Sequence, residues 1–173
     1  MVEREYDTER VFVRAIASGS YSLRQELAMQ RADQRVFKTT VEPWHGGPQG
    51  WHKTLVSPGM GLIQTLQCSF QELSPGGRSQ KHGHQNSALL FVLDGVGYDV
   101  NDGERVDWEA GDVMLVPGGT VHQHFNADPD NPARVLIMKG KPLYMFAHLI
   151  FQGFVEKAPK DPVPGFEDWH PVD

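Results

Sequence analysis

One cysteine, Cys68, among 173 residues leaves nothing for an internal disulfide and excludes a cysteine-only zinc site. No apolar run approaches the ~18 residues that cross a bilayer, and Met1 to Arg10 is charged where a signal peptide would be apolar. A cytoplasmic protein without a membrane partner is therefore expected. Positive charge is also short: 16 basic residues face 22 acidic ones, for a formal net charge of -6. The arginines and lysines are scattered, so the electrostatic footprint of nucleic-acid binding is missing and a small-molecule partner is expected. Hydrophobic residues at 39% and charged residues at 22% exclude the composition of a disordered chain, and the length suits a single core. Turn-forming residues are plentiful, with 18 glycines and 12 prolines, as in a protein of many short strands.

The chain falls into three stretches. Residues 1–57 hold a helical leader and a loop. Val11, Ala15 and Ile16, then Leu23, Leu27 and Ala28, recur at roughly helical steps between Asp7 and Phe37, with Gly19 and Ser20 separating two short helices. The segment Pro43 to His52 (PWHGGPQGWH) reads as irregular, a surface loop or a lid over a pocket. Residues 58–154 read as an antiparallel β-barrel. Leu62, Leu66, Cys68 and Phe70 share one parity, which makes Cys68 a small core residue, and strand-like runs follow at Leu89–Leu93, Tyr98–Val100, Arg105–Trp108, Val113–Val116, Val121–Phe125 and Ala133–Lys139. Close turns with no helix between these runs point to an all-β barrel or sandwich. Residues 155–173 form a Pro-rich tail without either period, an arm across the surface or onto another subunit.

Two His-x-His pairs, His82/His84 and His122/His124, stand on strand-like segments. Side chains two apart on a strand face the same side, so one pair can offer two imidazole nitrogens to one ion while a third ligand arrives from elsewhere. The surrounding spacing is more specific. Gly76, His82, His84, Ala88 and Gly95 follow at intervals of five, one, three and six residues, and Gly111, Pro117, Gly119, His122 and Asn126 at five, one, two and three. These two runs, 15 residues apart, resemble the paired motifs of the cupins over about Leu62 to Met138, with alanine at the position of the usual glutamate ligand. The resemblance implies a double-stranded β-helix, jelly-roll-like barrel with a short N-terminal helical leader. It also implies that His82, His84 and His122 are the metal ligands.

No acidic residue lies between Leu73 and Leu93 to replace the missing carboxylate, so the implied site is three imidazoles with open positions, suited to a chelating anion. The run from His82 through Ala88 to Phe91 and Gly95 is similar to the first motif of gentisate 1,2-dioxygenases, whose resemblance implies a mononuclear non-haem Fe(II) dioxygenase. Its reaction would use O2 to cleave a C–C bond of a hydroxylated aromatic carboxylate, phenol or ketone. Imidazole ligands also accommodate Mn, Ni, Cu or Zn. Those dioxygenases usually carry two such domains, so the reaction class carries over better than the substrate. The rival readings are a non-redox metal-dependent isomerase, lyase or decarboxylase and a non-catalytic small-ligand-binding cupin. A homodimer or higher homo-oligomer is expected.

Strand parity adds the remaining candidates. Arg78 and Gln80 share the face of His82 and His84, so Arg78 is expected either to clamp a substrate carboxylate or to pair with a surface acid at the rim. His124 shares the face of His122 and is expected to exchange a proton with substrate, or else to be a buried structural histidine. Phe91 is expected to supply pocket wall or barrel packing, and Asn126 to fix a turn.

Overall fold

A computed structural model of the chain describes residues 28, 31, 32, 34–57 and 65–173. The chain divides between Arg35 and Val36 into two units, and the architecture below is that of the second. The expected leader lies largely outside the described residues; Ala28, Arg31 and Ala32 are helical, whereas residues 34–38 take no regular structure, so the helix does not run on to Phe37.

Among the described residues, eleven strands form two antiparallel sheets: β1 (His45–Gly46), β2 (Gly50–Val56), β3 (Gln67–Leu73), β4 (Lys81–His84), β5 (Ala88–Asp94), β6 (Val96–Asn101), β7 (Glu104–Glu109), β8 (Val113–Val116), β9 (Val121–Asn126), β10 (Ala133–Lys139) and β11 (Gln152–Glu156). One sheet runs β1-β2-β3-β10-β5-β8 and the other β11-β4-β9-β6-β7. A short helix, α1 (Lys141–Phe146), with proline in its first turn, joins β10 to β11.

The strands from β5 to β10 follow directly from the sequence, because each apolar run is bounded by Gly, Asp or Asn turns. Alternation then sorts their side chains. Ala88, Leu90 and Val92 of β5 and Met114 and Val116 of β8 point between the sheets and meet Trp108, Ala133 and Val135 in the core, with Ile137 beside them. Phe91, Leu93, Val113 and Leu115 have the opposite parity and are exposed.

The N-terminal part of the unit departs from the sequence reading. Pro43 to His52 was expected to be irregular, but it contains β1 and the start of β2, paired His45↔His52 and Gly46↔Trp51. Gly46 and Gly47 take φ of 119° and 99°, a backbone region open to glycine, and so let a Pro-containing stretch close as a hairpin. The sheet thus begins well before residue 58. On β3 the expected inward face is also reversed: Gln67, Ser69 and Gln71 face the interior cavity, and Phe70, opposite Lys53, lies on the other side. Cys68 shares the parity of Phe70 and is half-buried rather than part of the core cluster.

The polar outer cluster explains that reversal. Lys53 is fully buried, donates to the Thr39 carbonyl at 2.9 Å and pairs with Asp173. Trp44 stacks on Phe70, with ring centroids 6.4 Å apart, and also donates to Asp173. Glu72 pairs with Arg134, whose guanidinium also donates to the Val172 carbonyl at 2.6 Å. The tail is therefore an arm across the surface of its own chain, and it covers the outside of β2, β3 and β10.

The facing of β5 and β8 has a direct test. Leu90→Ala should lower unfolding free energy by about 2–5 kcal/mol, whereas Leu115→Ala, one strand away with outward parity, should change it by about 0.5 kcal/mol or less. Urea denaturation of both variants measures the contrast, and equal losses would contradict the assigned faces.

Candidate metal centre

β4 and β9 are neighbours in the second sheet, with His82 opposite His122. Their shared parity sends His82, His84, His122 and His124 to one side, where ring centroids lie 4.4 Å apart for His82–His122, 4.8 Å for His84–His122 and 5.5 Å for both His82–His84 and His122–His124. The loop before β9 holds this arrangement. Gly119 donates its backbone N–H to the His84 carbonyl at 2.8 Å, and a Cβ on Gly118 would come within 2.3 Å of the Gln85 carbonyl oxygen. Only glycine allows the loop that leads to His122 to lie against the end of the strand that carries His84.

The hydrogen bonds decide which nitrogen each ring offers. Nδ1 of His82 lies 3.4 Å from the Gln80 carbonyl oxygen, Nδ1 of His84 lies 2.6 Å from that of Asn86, and Nδ1 of His122 lies 3.2 Å from that of Thr120. A carbonyl oxygen only accepts, so in each ring Nδ1 carries the proton and Nε2 is left with its lone pair. One ligand atom from each of the three rings lies within 4.8 Å of the others, a cluster that could hold a metal ion. Burial holds the imidazoles neutral. It is the main reason that His82 is lowered from 6.5 to about 4 and His122 to about 3, with the neighbouring His124 charge next; His84 is lowered by burial as well. Neutral imidazoles with fixed tautomers are what a divalent cation requires of histidine ligands, so the donor set fits a metal without rearrangement of protons.

His124 is wired differently. Its Nδ1 lies 2.7 Å from Asp99 Oδ2, and Asp99, fully buried on β6, accepts from the Trp108 indole N–H at 3.0 Å through its other oxygen. The Asp99 pairing leaves His124 Nε2 available on the side of the ring away from the carboxylate. Asp99 went unnoticed in the sequence because a lone aspartate inside a strand-like run has no spacing signature; its position opposite His124 follows from the β6–β9 register.

These groups line a cavity of about 280 Å3. The second sheet contributes the four histidines, Ser79 and Gln80 stand at the approach to β4, and the first sheet supplies the facing wall. Ala88, at the position of the missing carboxylate, lines this wall together with Leu90, Val116 and Ile137. Arg78 reaches the lining from the rim, where it is about half exposed and its guanidinium lies 3.5 Å from the Glu156 carboxylate. Phe91 requires a correction. It does not line the cavity, because the parity that brings Ala88 and Leu90 inward sends Phe91 to the outer face of β5. His52, at the end of the stretch read as a surface loop or lid, lines the cavity, and residues missed in the sequence are Thr54 of β2, Gln67, Ser69 and Gln71 of β3, and Lys139 at the end of β10. Asn126 fixes a turn as expected, donating to the Ser74 and Asn131 carbonyls and accepting from the Asp128 N–H.

Residues 69–139 match the family model described as the cupin domain. The chain is 37% identical over 68 residues to a 5-aminosalicylate 1,2-dioxygenase of Comamonas sp, a match covering 39% of this chain and 18% of the relative. It is 30% identical over 122 residues to a gentisate 1,2-dioxygenase of Ralstonia sp, covering 66% of this chain and 34% of the relative. The matches thus span about a fifth to a third of these curated relatives. In fold, the chain resembles the salicylate 1,2-dioxygenase of Pseudoaminobacter salicylatoxidans solved with gentisate, at a TM-score of 0.57 and 20% identity, over 77% of this chain and 34% of that one. Among the described residues no helix is long and apolar enough to cross a membrane. With its two antiparallel sheets and its domain match in agreement, the chain carries a cupin domain over residues 69–139.

Proposed function

We propose that the chain is a metal-dependent dioxygenase that uses O2 to cleave a C–C bond in a small chelating substrate bound in the cavity. The observation that carries this reading is the convergence of three neutral imidazoles in a cavity where Ala88, which cannot coordinate, stands at the motif position of a fourth ligand, so that an ion held there would keep positions for substrate oxygens and O2. The relatives named as gentisate and 5-aminosalicylate 1,2-dioxygenases support a hydroxylated aromatic acid as the substrate, and the resemblance of the His82 to Gly95 run to gentisate 1,2-dioxygenases implies iron as the metal. His82, His84 and His122 would hold the ion, and iron(II) bound there would supply the redox chemistry between an electron-rich chelate and O2.

The remaining roles belong to the protein. His124 is placed to take the proton of a substrate hydroxyl at Nε2 while Asp99 holds the ring by Nδ1. Leu90, Ile137 and Val116 exclude water from one side of the cavity, and Gln80 stands at its entrance. The exposed apolar residues of β5 and β8, Phe91, Leu93, Val113 and Leu115, favour self-association of the chain.

The test combines elemental analysis with oxygen uptake on a panel of hydroxylated aromatic acids. The wild-type protein should carry close to one iron per chain and consume O2 with such a substrate. His84→Ala and His122→Ala should each lose most of the metal and all uptake while remaining folded. Full metal retention in both variants would overturn the ligand assignment, and equal turnover without oxygen would place the reaction among non-redox metal enzymes.

His124→Gln should keep its metal and lower oxygen uptake per bound iron by about tenfold or more, since a positioned acid or base commonly contributes ~10²–10⁴ in rate. A purely structural histidine would give a lower melting temperature with unchanged turnover per iron.

The neutral histidines also predict a pH dependence of stability. Their folded values lie below the unfolded value of 6.5, so on acidification the unfolded chain takes up protons that the fold refuses. The stability they contribute is complete above about pH 6.5 and is lost as pH falls toward 4 and then 3. The melting temperature of metal-free protein should fall between pH 7 and pH 5, and His122→Gln should flatten that slope.

A further inference from the structure

The facing wall of the cavity carries a cation for which the site as described has no use. Lys139 ends β10, opposite Ala88 of β5 on one side and Gln67 of β3 on the other, and Ala88 is in turn opposite Val116 of β8. All four residues line the cavity, so Val116, Ala88, Lys139 and Gln67 form one row across the wall that faces the histidines. Paired residues in a sheet point to the same side, which places the Lys139 side chain beside the position of the absent carboxylate ligand.

Charge in the cavity is one-sided. Among the described residues, none that lines it is an aspartate or glutamate. Arg78, the other cation of the lining apart from the histidines, has Glu156 as its partner and stands half exposed at the rim. Lys139 is half-buried, and among the described residues no carboxylate lies within ion-pair distance of it. Burial, followed by the charge of Lys141, holds its ammonium below the ordinary lysine range. Its own charge helps to lower His52, His82 and His84, so it lies within electrostatic reach of the histidine cluster. Further along the wall, the buried side-chain carbonyl oxygen of Gln71 has no hydrogen-bond partner among the described residues. A half-buried ammonium without a counter-ion and a buried acceptor without a donor on one wall match a ligand that brings an anionic group and a hydroxyl.

We propose that Lys139 is the anion anchor of the cavity, binding the carboxylate of a small hydroxy acid. This assignment deepens the dioxygenase reading and rests on it for the identity of the site, but the anchor itself acts with or without a metal. It moves the carboxylate-binding role from Arg78 at the mouth to a lysine on the wall facing the metal cluster. The anchor selects acids over neutral phenols and ketones.

The test uses salicylate and its neutral isostere salicylamide as probes, titrated by ligand-observed NMR into metal-free full-length protein, with melting temperatures measured in parallel. Wild-type protein should prefer the acid by about tenfold or more, in the range of a charge-assisted hydrogen bond. Lys139→Met should reduce that preference to near unity at an unchanged melting temperature, and Lys139→Arg should retain most of it. Arg78→Gln should keep the preference within about twofold. A wild-type protein without preference, a Lys139→Met variant that keeps it, or an Arg78→Gln variant that alone loses it would each overturn the assignment. Failure of the dioxygenase reading has a different signature: no oxygen uptake by iron-loaded protein, with the acid preference of the metal-free protein intact.

Discussion

The pairing of β4 with β9, with His82 opposite His122, is the constraint on which the rest of the site depends. Side-chain facing on a strand has a period of two, so a slip of one residue would turn all four imidazoles out of the cavity and bring Gly83, Gln123 and their neighbours in. Two contacts oppose such a slip. The Gly119 N–H to His84 carbonyl bond ties the loop before β9 to the end of β4, and the Gln123 side chain, on the other face of β9, donates to the Ser79 carbonyl at 2.8 Å. The convergence of the four histidines is therefore a property of the sheet pairing.

That assembly places several polar groups in a small interior, and each has a specific partner. The three ligand imidazoles bond backbone carbonyls through Nδ1, whereas His124 bonds the Asp99 carboxylate. The difference in partner fits the two roles proposed within one cluster. A carbonyl fixes a neutral ring with a free lone pair, as a metal ligand needs, and a carboxylate can support a ring that gains a proton. Asp99 also accepts from Trp108, a member of the apolar core, so the orientation of His124 is anchored in the best-packed part of the protein.

The sequence was most legible where one face of a strand meets the core and the other meets water. On β5 and β8 that condition holds, and from β5 to β10 the runs between Gly, Asp and Asn turns gave strands within a residue or two of those observed. The convergence of the candidate ligands His82, His84 and His122 was legible for a related reason, since His-x-His on a strand can only point one way at a time. Legibility failed where both faces of a strand are covered. On β2 and β3 the outer face is roofed by Trp44 and the tail and carries Lys53, Glu72 and Phe70, while the inner face is polar because it lines the cavity. The apolar parity of Leu66, Cys68 and Phe70 therefore marked the wrong side. Lys139 was hidden differently: at the end of an apolar run it reads as a solvated terminus, and only the pairing with Ala88 and Gln67 turns it inward.

Ala88 and Lys139 together describe what the cavity lacks. A glutamate at the position of Ala88 would place a negative charge beside the three imidazoles, and a lysine opposite it would then be neutralised within the protein. With alanine there, an ion held by the histidines keeps its full charge, and the ammonium of Lys139 adds to it in a cavity with no carboxylate in its lining. Uncompensated charge in a partly desolvated space is costly, and the cost falls when a ligand supplies the missing sign. Alanine at this position thus bears on both halves of the proposal: it would leave coordination positions free on an ion held by the histidines, and it would favour an anion to fill them.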